Sequence, residues 1–350
     1  MWYYNPIHLS GNELGPVRKP KRITMQKRAK LLMLLAIVIY SGTAVAGPIV
    51  NAIYDPGVPF SAADQAVIQS ALNFYTSNMT STFTVTVAFG AQPDGGGGSQ
   101  WFTQTSTYNA YYNALVANSS GNATDTSAIA SLGGGAHTFN PVTGSGSIVM
   151  TATLASALGM GAQVSDVFAN CGGLTANACI TLSSAALNTG GSPLAGLSGI
   201  VQHEFNEVLG TASNLPNGGG SVPGDPLAAD LYRYAAPGVR SFALNTSTAV
   251  PCSGSPTAYL SVNGGATNLN NYNNCNNGGD YGDWIGTDGL QVQDAFGPDS
   301  QAASLNLASP EVMLLDGVGY NFGAPASAPE PSTLVVMLAG LAAVPLLRRR

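Results

Sequence analysis

Lysine is missing from everything after residue 30, and between residues 47 and 323 the only basic side chains are Arg233 and Arg240, against 16 acidic ones. That excess of 14 negative charges leaves no basic footprint to displace counterions from a phosphate backbone, which argues against nucleic-acid binding. Charged residues of both signs are scarce, only 9% of the 350. C-x-x-C spacing is absent among Cys171, Cys179, Cys252 and Cys275, so a thiolate zinc site is not expected. Four cysteines allow three pairings, and the sequence-local one is preferred: Cys171 with Cys179 and Cys252 with Cys275 each close a loop rich in glycine or asparagine. The glycine-rich loop from Asp94 to Ser99 lacks the G-x-G-x-x-G or G-K-[ST] context of a phosphate cradle. Apolar runs of about 20 residues, the length of a membrane span, are missing as well.

What is present is concentrated. Two histidines and three glutamates lie between residues 47 and 323, and one histidine and two of the glutamates fall inside five residues, His203-Glu204-Phe205-Asn206-Glu207. The stretch Gly199 to Gly210 has the apolar spacing of one helix. Residues four apart share a helix face, so His203 and Glu207 can grip one metal ion, while Glu204, about 100° further round, can reach a water on it. This is the arrangement of the H-E-x-x-H zinc hydrolases with a carboxylate in place of the second histidine. The competing interpretation is an exposed helix with a polar face. Gly210 permits the helix to stop and the chain to turn back.

Around this helix the pattern is α+β. Ala62 to Met79 predicts a helix capped by Ser61, and Thr82 to Phe89 alternates as a half-buried strand. A helix over Thr107–Val116, strands over Ser147–Thr153 and Cys179–Leu182, and a short helix or turn over Leu154–Leu158 follow, with Ala128–Leu132 too short to assign. Strand-like pieces at Ser241–Leu244 and Ala258–Val262 precede an asparagine-rich run. Ser309-Pro310-Glu311 starts a closing core helix ending at Gly317. His137 is the other histidine available as a ligand, though a lone histidine beside a strand is more often structural. The aspartates near Gly279-Asp280-Tyr281-Gly282-Asp283 offer oxygen ligands to Ca2+ without EF-hand spacing, and Asp-Gly turn chemistry accounts for them equally well, so calcium stays unassigned.

Both ends carry address signals. Lys27, Arg28 and Lys30, the apolar stretch Leu31–Tyr40 and the A-x-A site before Gly47 make residues 25–46 a secretory signal peptide. Translation is expected from Met25, which leaves residues 1–24 as a leader outside the protein. At the other end, residues 329–350 comprise Pro329-Glu330-Pro331, an apolar run Thr333–Leu347 and Arg348-Arg349-Arg350. Such a run is short for a span but serves as a temporary membrane stop, with its arginines held on the cytoplasmic side.

That tail resembles the PEP-CTERM sorting signal of exported Gram-negative proteins. The region from Ile53 to Tyr320 resembles the exported metalloproteases associated with that signal, distant relatives of the metzincins. The residues that carry the likeness are His203–Gly210, Asp230-Leu231-Tyr232-Arg233-Tyr234, Gln291–Gly297 and Leu315–Tyr320. The resemblance implies a zincin-like domain over residues 47–323: a twisted mixed sheet, an active-site helix and a smaller, loop-rich C-terminal half. It further implies a Zn2+-dependent endopeptidase acting on protein or peptide substrates, exported through the Sec translocon, anchored transiently in the membrane, processed by an exosortase and left at the cell surface or outside it. The metzincin spacing would put further ligands at 207 and 213, where this chain has Glu207 and Ser213. Serine is a poor zinc ligand, so Asp230, in a segment the likeness picks out, is the candidate third ligand beside His203 and Glu207, with Glu204 as general base. Met313 is the candidate for the methionine beneath the metal in metzincins, though a core-filling role suits it better. The rival expectation is a non-catalytic matrix or surface protein with a degenerate metal site.

Overall fold

Side-chain caps start the helices of the N-terminal half. The computed structural model describes residues 47–93, 96–187, 195–215, 225–287, 289–297 and 303–323. Ser61 Oγ accepts the Asp64 N–H (3.1 Å) while Asp64 accepts the Ser61 N–H (2.9 Å), a reciprocal capping box that opens α1 (Ala62–Asn78). Thr107, Asn122 and Thr151 cap α2 (Tyr108–Asn118), α3 (Ala123–Ser131) and α4 (Ala152–Ala157) in the same way, each accepting a backbone N–H three residues on. The motif helix, α5 (Leu197–Leu209), has no side-chain cap. It stops at Gly210, whose φ of 123° suits glycine and whose N–H donates back to Asn206 O and Glu207 O. Pro310 in the first turn opens α6 (Pro310–Val318).

The principal sheet is four-stranded and mixed. In spatial order it runs β1 (Ile49–Tyr54), β2 (Thr84–Gln92), β8 (Ala178–Ser183), β3 (Gly97–Trp101). β1, β2 and β8 are parallel, and β3 lies antiparallel to β8 at the edge, with Gly97 opposite Leu182 and Trp101 opposite Ala178. Every residue of β8 is buried, as expected of a central strand covered on both faces. α5 packs on β3 and β8 and against α1, where the rings of Tyr75 and Phe205 meet edge-on at 4.8 Å. Both rings are fully buried, a contribution of roughly 2–3 kcal/mol each by area alone. A two-stranded ladder pairs β4 (Thr103–Thr107) with β5 (Ser147–Thr151), and another pairs β6 (Asp166–Phe168) with β7 (Leu174–Ala176).

After α5 the regular elements shrink. An antiparallel sheet of very short strands runs β10 (Val239–Arg240), β9 (Arg233–Ala236), β11 (Tyr259–Leu260), β12 (Asn270–Asn271). Asparagine side chains take over the role of the ladder: Asn274 Nδ2 donates to Ala243 O and Pro256 O, Asn245 Nδ2 to Ser253 O and Asn277 Nδ2 to Ala249 O. Hence Ser241–Leu244 forms no strand, and the expected strand at Ala258–Val262 shrinks to two residues. Arg233 is 1% exposed, donates to Tyr281 O and Asn274 Oδ1 and lies 4.1 Å over the Tyr272 ring. Arg240 is likewise engaged with Leu231 O and Ser131 O.

Two further differences concern glycine and short length. Gly97–Ser99, expected in a loop, belong to β3, and the unassigned Ala128–Leu132 contains the last turn of α3. Disulfides join Cys171 to Cys179 and Cys252 to Cys275, the sequence-local pairing. Near its two ends the described chain converges on the end of α1: a Cβ on Gly47 would meet Met79 O at 2.8 Å, Phe322 bridges Met79, and Gly323 N–H donates to Asn78 O. The segments expected as leader, signal peptide and sorting tail lie outside the described residues. Among those residues no helix is long and apolar enough to cross a membrane.

Candidate metal centre

Three ligand atoms converge beside α5, two of them on the helix. His203, Glu207 and Asp283 each offer one atom within 4.8 Å of the others, and among the described residues this is the group able to hold a metal ion. His203 Nε2 lies 3.5 Å from Asp283 Oδ1 and 4.0 Å from Glu207 Oε1. Donors sharing one tetrahedral zinc with bonds near 2.1 Å sit roughly 3.4 Å apart, so the first separation fits and the second closes with a shift of about half an ångström. Glu207 is 8% exposed and Asp283 3%.

Two of the donors are aimed by neighbours. His203 Nδ1 lies 2.9 Å from Val292 O, and a carbonyl can only accept, so Nδ1 carries its hydrogen and Nε2 is the atom turned to the carboxylates. Ser99 Oγ, on β3, donates to Glu207 Oε2 at 2.5 Å, which leaves Oε1 facing the imidazole. Glu204 is 5% exposed and stands apart from the three donors, pressed against the β3 backbone. A Cβ on Gly97 would fall 2.5 Å from Glu204 Oε1 and 2.8 Å from its Cγ, so the close approach of strand and carboxylate requires glycine there.

Excess negative charge defines the electrostatics. Burial raises the Glu204 pKa, His203 lowers it, and Glu207, Asp283 and Asp280 raise it further, to about 8. Asp283 follows the same balance, burial first, and reaches about 7; burial likewise raises Glu207. Burial alone would depress His203, but Asp283, Glu204 and Glu207 overcome it and push the imidazole up to about 10. A proton therefore holds the position between imidazole and carboxylates where a divalent cation would relieve the same repulsion. One nitrogen and two carboxylate oxygens, buried, convergent and over-negative, are a donor set that fits zinc.

The position of Asp230 differs from expectation. It is not in the group: Oδ1 accepts Ser213 Oγ, and Oδ2 accepts the N–H groups of Asn214 and Leu227 at 3.0 Å each. Those three donors engage both oxygens of a buried carboxylate and tie the loop after Gly210 to the turn at Ala228–Tyr232. The aspartate that does stand within reach of His203 and Glu207 is Asp283. It lies in the segment whose aspartates the sequence marks as oxygen donors, without a signal for which one. His137 is also elsewhere, with φ 48° and its ring stacked at 3.3 Å on Tyr112. Ser213, on the metzincin spacing, serves Asp230. Met313 lies on α6 and lines a small cavity with Val312 and Phe322, away from the three donors.

Beside the centre a cavity of about 500 Å3 opens between β3 and the loop-rich half, lined by Ser99, Trp101, Glu207, Leu215, Asp280 and Tyr281 among others. Comparison with protein-family models, curated proteins and solved structures finds no match. The assignment of the site therefore stands on its own geometry.

Proposed function

We propose that the protein is a metal-dependent hydrolase of peptide bonds, a zinc endopeptidase of zincin-like fold, with the ion held by His203, Glu207 and Asp283. The supporting observation is the convergence of those three donors beside a third, separate carboxylate, Glu204, next to an open cavity. When bound, zinc supplies Lewis acidity that makes a water a usable nucleophile near neutral pH. Glu204 accepts the proton of that water and returns it to the departing amine, a role suited to a carboxyl whose pKa is raised. Val292 O fixes the imidazole tautomer and Ser99 fixes the Glu207 rotamer, so the donors need little reorganisation. β3 is the edge of the principal sheet and passes over Glu204 at Gly97, so an extended peptide pairing along it would bring its carbonyl groups past the general base. Export and surface delivery follow from the end segments as part of the same proposal.

The test separates metal from catalysis. Purified residues 47–323 should bind one zinc per chain and cleave a casein-type substrate in a chelator-sensitive manner. Glu204→Gln should keep the zinc and lose at least 100-fold in kcat, the range of general-base removal. Undiminished cleavage by Glu204→Gln removes Glu204 from the mechanism. Zinc binding without any hydrolysis favours the non-catalytic surface protein instead.

A further inference from the structure

Two short arms of the loop-rich half, Asp283–Gly286 and Gln291–Ala295, lie against each other beside α5. The Trp284 N–H donates to Gln293 O (2.7 Å) and the Ala295 N–H to Trp284 O (3.0 Å). Glu311, fully buried in the first turn of α6, joins them: its Oε1 accepts both Trp284 Nε1–H and the Gln293 N–H, at 3.0 Å each. One carboxylate oxygen thus pins a residue from each arm. Val292, the neighbour of Gln293, is the residue whose carbonyl holds His203.

The Gln293 side chain, 1% exposed, completes the device. Its Nε2 donates to Asp283 Oδ1 at 2.9 Å and its Oε1 accepts from Asn206 Nδ2 at 3.2 Å. Asn206 Oδ1 in turn accepts the Tyr75 hydroxyl at 2.7 Å. The series Tyr75, Asn206, Gln293, Asp283 has one polarity, since each amide accepts at oxygen and donates from nitrogen. Turning Gln293 over would set its NH2 against that of Asn206 and its carbonyl against a carboxylate, so the orientation is determined by the chain of bonds. We propose that Gln293 is the positioning residue of the metal centre, holding Asp283 in the rotamer that faces His203 and Glu207. Without a donor, a buried carboxylate next to Glu207 gains by rotating away from it. A neutral amide orients Asp283 without neutralising it, whereas a lysine or arginine in that place would compete with the cation.

The inference rests on the metal centre proposed above, and the experiment keeps the two apart. Zinc affinity is measured by competition with a chelating dye, beside the visible spectrum of the Co2+-loaded protein and the melting of the metal-free protein. Gln293→Met fills the same space without a donor, and Gln293→Asn keeps the amide but withdraws it; Tyr75→Phe cuts the same series at its far end. Both Gln293 variants should lose roughly 10–100-fold in zinc affinity and shift the Co2+ bands, the range for partners that orient a ligand. Tyr75→Phe should lower the melting temperature yet keep zinc affinity within about threefold, far less than an orienting partner costs. Wild-type zinc affinity in Gln293→Met, or an equal loss in Tyr75→Phe, overturns the positioning role while leaving the metal centre in place. If either Gln293 variant fails to fold, the other carries the same readout. A wild-type protein that takes up no zinc removes the centre, and this role with it.

Discussion

Asp230 and Asp283 are both 3% exposed and both lie in the loop-rich half, yet their oxygens meet different things. Asp230 accepts three hydrogen bonds, two from backbone N–H groups and one from Ser213, which satisfy it as a cap. Asp283 accepts one from Gln293 and otherwise faces an imidazole and a second carboxylate. In the proposed centre, burial alone does not set Asp283 apart from Asp230; the number of donors already spent on the carboxylate does. The pKa of each is raised by burial; the hydrogen-bond donors around Asp230 and nearby Arg233 pull it back, whereas for Asp283 the imidazole of His203 and the amide of Gln293 pull it down while Glu207 and Asp280 push it up.

The largest effect that tests this contrast is a pair of alanine substitutions. Asp283→Ala should weaken zinc binding by more than the roughly 100-fold upper range for an orienting partner, because it deletes a ligand outright. Asp230→Ala should leave zinc binding intact and cost about 2–4 kcal/mol of stability, since two buried N–H groups lose a charged acceptor. Equilibrium dialysis and denaturant titration of both variants read the two outcomes. Exchanged phenotypes would return the ligand role to Asp230.

A second, smaller effect concerns Glu204. Gly97→Ala places a methyl 2.5 Å from Glu204 Oε1 and 2.8 Å from Ile200 Cγ2, so strand or side chains must move. Displacing a catalytic group by about 1 Å costs on the order of 100-fold, so kcat should fall by up to that amount with zinc stoichiometry unchanged. Equal kcat in the variant would show that the contact with β3 does not position the base.

A third buried aspartate extends the comparison with the mildest effect. Asp316 accepts from Asn122 Nδ2 (2.9 Å) and the Phe322 N–H (3.2 Å), but burial and nearby Asp125 carry its pKa up to about 7. The unfolded value is near 3.9, so the folded state holds this proton more tightly. Stability from this group is full below that value, declines as pH rises towards 7 and is constant above. Asp316→Asn should flatten the melting temperature between pH 4 and 7 relative to wild type; an unchanged slope would place the titration elsewhere.

How much of this was legible from residues alone follows from distance along the chain. His203, Glu204 and Glu207 sit on one helix, where a spacing of four settles the shared face whatever the tertiary structure. Asp283 comes to the same point from a distant segment, beside Trp284 and Gln293 that Glu311 joins, a contact with no local period to reveal it. The Ser61-capped α1 and the buried strand β8 are readable for the same local reason, whereas the short α3 is not. β3 was not, because Gly97 and Gly98 carry no side chains to alternate, and the glycine that weakens the strand signal is what lets Glu204 approach. The shortened strands near Asn245 and Asn274 escaped notice because side-chain amides there stand in for ladder partners.

Gly47 and Gly323 both abut the last turn of α1, so the first and last described residues of the folded body lie beside one helix end. A circular permutant that joins these residues with a few-residue bridge needs no rearrangement of the sheet.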